Sequence, residues 1–253
     1  MDKSDEKIIK SGLEIYQRAL CIGICSARGK MDLAFNQLGR SKESFSLQEN
    51  LRKELTNWAN YNGLDKIYSK RERDIVNKSI GKLNQQDLIN LSWKEESLFI
   101  LLWAIQKFGQ IPDYDTECDH IRAISNLHIM GEIEKTSVNI IPRSHEEIMN
   151  ARNIAEGWHW RARTHYLILE KYDLHLPAGV TMESIIEMTA AEHYKLGEIP
   201  EPIKGDFPVF GKPYKELTPE EYSLVNSITY ERHYVLNWIC GYSNDWDNVP
   251  TET

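Results

Sequence analysis

The chain has no Cys-x-x-Cys pair, no apolar run approaching a membrane span, and fewer basic than acidic residues. Each shortage excludes something. A chain of 253 residues has no need of a disulfide framework, and its four cysteines, Cys21, Cys25, Cys118 and Cys240, suit buried thiols in a reducing cytosol. A membrane helix needs about 18 consecutive apolar residues, so no membrane span is expected. Residues 19–27 are the nearest thing to a secretory core, but Glu14, Gln17 and Arg18 interrupt the run upstream. With 30 basic against 38 acidic residues, the field repels phosphate, so nucleic-acid binding is not expected. Also missing are a glycine-rich phosphate loop, a Gly-x-Ser-x-Gly elbow, a His-Glu-x-x-His helix and a Cys-His nucleophile pattern. These absences weaken the case for an enzyme, and none of the patterns present calls for a cofactor.

What the chain does have is tryptophan, tyrosine and helix-start signals. Ser or Thr followed three residues later by Glu forms a capping box, in which each side chain satisfies a backbone N–H of the first turn. The pattern occurs at Ser46/Glu49, Ser69/Glu72, Ser92/Glu95, Ser144/Glu147 and Thr218/Glu221, the last with Pro219 at the first helical position. Apolar residues at helical spacing follow: Leu47, Leu51, Leu55 and Trp58; Leu98, Leu101, Leu102 and Ile105; Val225, Leu236 and Ile239. The stripe Ile148, Ala151, Ala155, Trp158, Ala162, His165 and Leu169 predicts a central buried helix. Further helices are expected over 6–24, 116–127 and 182–196, with Gly109, Gly197 and Gly241 as C-caps. One weak strand is expected at 137–141. Residues 110–119 and the proline-rich 199–219 are irregular. The pattern predicts an all-α fold, a single multi-helix domain over 1–253 with a Trp-rich core and at most one minor strand pair.

The blocks Ser92-Trp93-Lys94-Glu95-Glu96 with Leu101-Leu102-Trp103-Ala104, Arg143 with Glu146-Glu147, Glu231-Arg232 with Leu236-Asn237-Trp238, and Asp245-Trp246-Asp247 occur in that order. Together they resemble domain-of-unknown-function family 4272 over roughly residues 15–250. Lys94 stands where that family has arginine, and Val235 where it has alanine. The resemblance implies a mostly helical bacterial protein and supplies no reaction, cofactor or catalytic residue.

Several residues are candidates for a site. Glu117/His120 and Glu156/His159 are Glu-x-x-His pairs whose members share a helix face. With Glu96 and Glu192 they would compose a helical-bundle di-metal site, but short spacings recur by chance and no metal is assigned. His159, Trp160 and Arg163 lie in a segment that mixes aromatic and cationic groups. There arginine can stack on and pair with an anion, or pair internally with Glu156 or Glu170. Arg232 falls on an apolar stripe and needs a carboxylate, with Asp245 or Asp247 expected as partner. That pair would clasp the C-terminal segment or line a polar pocket capped by Trp246. Trp93, Glu96 and Arg143 complete the set. Lys70, Arg71, Arg73 and Lys78 read as a solvated basic helix face.

The expected function is a non-catalytic, cytoplasmic interaction or regulatory protein, of the immunity type, with a protein partner. The alternative is an enzyme or metabolite binder with a polar pocket between the 156–163 helix and the 232–247 region.

Overall fold

The computed structural model describes residues 9–132, 140–173 and 175–253. Its helices are α1 (Gly12–Gln37), α2 (Lys42–Tyr61), α3 (Lys70–Asn77), α4 (Gln85–Ala104), α5 (His120–Ser125), α6 (His145–Leu169), α7 (Met182–Lys195) and α8 (Pro219–Ile239). The fold is all-α, with one antiparallel strand pair, β1 (Pro208–Val209) and β2 (Lys212–Pro213). Among the described residues no helix is long and apolar enough to cross a membrane.

Helices α1, α4, α8 and α6 pack side by side in that spatial order. The middle two are enclosed by neighbours, and their sequences show why. Leu98 to Ala104 is apolar all round and entirely buried, which suits a helix sandwiched between α1 and α8. In α8 the run from Glu231 to Ile239 is buried even though it contains charged residues. All seven tryptophans lie in the core or packed against it. Three arginines, Arg28, Arg161 and Arg232, are fully buried, and each meets a carboxylate: Asp32, Asp206 and Glu96. Arg232 therefore has a different partner from the expected Asp245 or Asp247.

The capping boxes at Ser69, Ser144 and Thr218 open α3, α6 and α8 as expected. Ser46 and Ser92 open nothing, because both lie inside helices that begin upstream at caps Ser41 and Asn84. Their downstream glutamates are used elsewhere: Glu49 binds Arg52 at 2.5 Å and Glu95 accepts from Ser26. Gly197 and Gly241 have positive φ just beyond α7 and α8, but after α4 the chain reverses at Gln106 (φ 64°) rather than at Gly109. Of the strand expected at 137–141, residues 137–139 lie outside the described residues, and Ile140 and Ile141 are not extended in a sheet. The strand pair forms instead inside the proline-rich segment.

Gly12, the first residue of α1, lies under the main chain of Ile140. A Cβ there would stand 1.9 Å from the Ile140 carbonyl oxygen. Backbone cannot rotate away as a side chain can. Gly12→Ala is therefore expected to destabilise by about 1–3 kcal/mol despite alanine's higher helix propensity. Urea denaturation checks this, and an unchanged or raised midpoint would refute the close approach.

Candidate functional site

Helix α3 is short and strongly polar, so its position depends on its ends. Ser69 and Glu72 close a capping box at its start. The Asp247 carboxylate accepts a further hydrogen bond from the Arg71 N–H at 3.0 Å, where the helix dipole favours negative charge. Asp247 is brought there by a tail folded back along α8. The Tyr234 hydroxyl donates to the Trp246 carbonyl, and Asn237 Nδ2 donates to the Pro250 carbonyl at 2.8 Å. The Trp246 ring meets Tyr234 and Trp238 edge-on, and the Arg18 guanidinium lies 5.1 Å from its centroid.

A groove of about 580 Å³ results, walled by α3, α4, the second half of α8 and this tail. Lys94 from α4 crosses it. Its ammonium contacts both oxygens of Glu231, at 2.8 and 3.0 Å, and sits 4.4 Å from the centroid of Tyr234. Lysine thus reaches the two-oxygen contact that arginine would make at this position. Ser97 donates to the same carboxylate at 2.6 Å. Deeper in the groove, one oxygen of Glu72 receives Arg18 at 2.5 Å and the Ser69 N–H at 2.8 Å. Its other oxygen, Oε1, is buried without a partner. Burial, reinforced by the Glu72 charge, pushes the neighbouring Cys25 thiol well above its ordinary range. At the mouth Tyr230 is partly exposed, and the Arg71 guanidinium makes no hydrogen bond among the described residues.

The residues singled out from sequence divide. Trp246 lines this groove, and Trp93 is half-buried against the core beside it. Asp245 is exposed and structures its own turn, accepting from the Asp247 N–H and from Asn248. Glu96 and Arg232 meet at 3.0 Å, both fully buried. Arg232 also donates to the carbonyls of Pro112, Asp113 and Thr116, while Glu96 accepts from the Cys118 N–H at 2.7 Å. The clasp is real but holds the acidic 110–119 segment, not the C-terminal tail. Arg143 likewise closes a turn, donating to the carbonyls of Trp103, Phe108 and Gly109 while its guanidinium stacks 4.7 Å from Trp103.

His159 is taken into the α6–α8 interface, with its Nδ1 2.9 Å from Nδ1 of His233. Asn237 fixes the protons. Its oxygen accepts from Arg152, so its amide nitrogen faces His233 Nε2 at 2.9 Å. His233 must then donate from Nδ1, and His159 must accept and carry its proton on Nε2. Both rings are neutral: burial and the nearby Arg163 lower the pKa of His159 to about 4, and burial, His159 and Arg152 lower that of His233 to about 3. This packing fills the place where the 156–163/232–247 pocket was expected. The Trp246-capped groove opens towards α3 and α4 instead.

Trp160 packs against Phe207 and Arg163 is exposed. The two Glu-x-x-His pairs enter separate networks: His120 lies among Glu117, Glu95 and Glu96, whereas Glu156 binds Arg152. Among the described residues no group of His, Cys, Asp or Glu is placed to hold a metal ion.

The family model described as Domain of unknown function (DUF4272) matches residues 1–186. The chain belongs to this family. No curated protein and no solved structure matches it. The DUF4272 match runs from α1 into the first turn of α7, so it contains the α3 and α4 walls of the groove. The α8 and tail walls lie beyond it. Sequence reasoning missed Arg71, Tyr230 and Glu231 because a basic helix face and an aromatic–acid dipeptide are each common. The clue available was Asp247, a tail carboxylate with no local partner, which needed a helix start to cap.

Proposed function

We propose that this DUF4272 protein is a non-catalytic binding protein of the bacterial cytosol, a single domain that takes a charged segment of a partner protein into the α3–α4–α8 groove. The observation that carries this is Glu72 Oε1, buried without a partner in the groove, below an exposed Arg71 guanidinium at the mouth that makes no hydrogen bond among the described residues. A segment bearing an amino or guanidinium group would meet Glu72 Oε1, and a carboxylate on the same segment could pair with Arg71, with Tyr230 as an aromatic contact at the rim. The interior chemistry supports binding over catalysis. Burial raises the thiols of Cys21, Cys25 and Cys118, which suppresses the nucleophilic thiolate. The carboxylates Glu96 and Glu231 are already saturated by Arg232, Lys94 and Ser97.

Affinity purification from the native host tests this, with Arg71→Glu and Tyr230→Ala as exposed-site variants. One protein retained at near-equal amount by wild type, and lost by both folded variants, is the expected result. Retention that ignores both substitutions, or no retained protein at all, would refute the reading. The groove's volume also falls within the small-molecule range of about 300–1,000 Å³, which favours a polar metabolite as second reading. Native mass spectrometry of the purified chain separates the two.

A further inference from the structure

We infer that a second cavity, between the end of α6, the start of α7 and the proline-rich loop, binds a small carboxylate with an apolar body. The cavity measures about 420 Å³ and Arg161 lines it. Arg161 is fully buried. Its Nε and Nη2 donate to the two oxygens of Asp206 at 2.6 and 2.8 Å, and its Nη1 has no acceptor.

The imbalance is one of donors over acceptors. Asp206 receives both arginine bonds and also the N–H groups of Phe207 at 2.8 Å and Lys215 at 2.9 Å. Its oxygens are saturated, so it has nothing left to offer Nη1. A buried donor without an acceptor is rare in folded proteins, and an acceptor supplied from outside resolves it. Two ammonium groups stand on the same cavity, Lys204 and Lys215. Among the described residues each has one carboxylate partner, Glu216 and Glu183 respectively, in exposed pairs. Thr181 and Met182 add the N-terminal turn of α7, whose dipole favours an anion.

The rest of the lining is largely apolar, with Ile168, Leu169, Ile186 and the Met182 side chain. Ile168 and Leu169 remain 44% and 58% exposed although they end the buried helix α6. An apolar body lying on them would cover surface that no described residue covers. The head group is a single negative charge and not a phosphate, because Glu183 and Glu187 share the cavity's lining. A dianion would meet their repulsion, whereas one carboxylate matches the single vacant guanidinium nitrogen.

Octanoate, octan-1-ol and octyl phosphate separate the contributions. Titration calorimetry on the full chain should show octanoate binding at least about tenfold tighter than octan-1-ol, a difference of about 1.4 kcal/mol, and tighter than octyl phosphate. Leu169→Glu and Ile168→Glu place charge on exposed positions and should weaken octanoate about tenfold while leaving the unliganded melting temperature in place. Arg161→Gln should abolish the preference for octanoate over octan-1-ol. Because that variant disturbs a buried pair, the two surface variants decide the matter if it fails to fold. Octanoate binding no tighter than octan-1-ol or octyl phosphate, or undiminished in folded Leu169→Glu, would overturn the proposal.

Discussion

Arg232→Met is expected to lower stability by about 3–5 kcal/mol, or about 2–4 °C of Tm for each kcal/mol at this chain length. Three effects add. Glu96 is left as a buried carboxylate without its counter-charge, and burial without a partner is costly. The carbonyls of Pro112, Asp113 and Thr116 lose their donor, so residues 110–119 lose their attachment to the core. The Tyr114 ring, 4.9 Å from the guanidinium, loses its cation. Arg232→Lys should recover little, because one ammonium cannot span a carboxylate and three carbonyls. The double variant Arg232→Met/Glu96→Leu should regain a substantial part of the loss, since no charge is then stranded. Urea denaturation of all four proteins checks this. A single variant within about 1 kcal/mol of wild type, the usual reach of an exposed ion pair, would show that the pair is not a clasp.

Acid is expected to unfold the protein earlier than its carboxylates alone would require. Three histidines are held neutral. His159 is lowered to about 4, His233 to about 3, and His165 to about 4, burial leading in each case with a neighbouring cationic side chain or ring adding to it. Unfolded histidine titrates at about 6.5. Above that pH both states are neutral and the stability is fully present. Below it the unfolded chain takes up protons that the folded chain refuses, so stability falls as pH drops from about 6.5 towards 4. Each histidine contributes a slope of up to about 1.4 kcal/mol per pH unit, or about 4 kcal/mol per unit for the three together. The Nδ1–Nδ1 contact adds a geometric reason, since protonating both rings would set two N–H groups against each other. Denaturation midpoints measured from pH 7 to 4.5 should fall steeply, and a flat profile down to pH 5 would contradict the buried pair. A folded His233→Gln should show a slope reduced by about a third.

How much of this was readable beforehand depends on the range of the interaction. Helix starts at Ser69, Ser144 and Thr218 were legible because a capping box is closed within four residues. The same letters at Ser46 and Ser92 misled because their glutamates are claimed by partners elsewhere in sequence or space. Burial of Arg232 was legible from the apolar stripe of its own helix, but its partner was not. Glu96 is 136 residues away, and only the packing of α4 against α8 selects it over Asp245. The groove was half legible. Trp246 and the surrounding aromatics pointed to a polar recess, yet the opposing wall depended on whether α6 or α3 faced them, and histidines that fill the α6 side gave no sign of doing so. Asp206 was invisible for a related reason: a single aspartate in a proline-rich loop looks solvated until Arg161 is placed beneath it.

The hydrogen bond from the Arg71 N–H to Asp247 joins positions 176 residues apart, and this orders events in time. During synthesis α1 to α4 emerge and can pack long before the tail leaves the ribosome. Throughout that interval α3 lacks the carboxylate at its start, and the ring of Trp246 has yet to cover Tyr234 and Trp238. The groove is thus assembled only after residues 246–249 have followed α8 out and folded back onto α3. A polypeptide ended before Asp245 would keep the α3 and α4 walls and lack the tail wall, so the groove exists only once translation has passed Asp245-Trp246-Asp247.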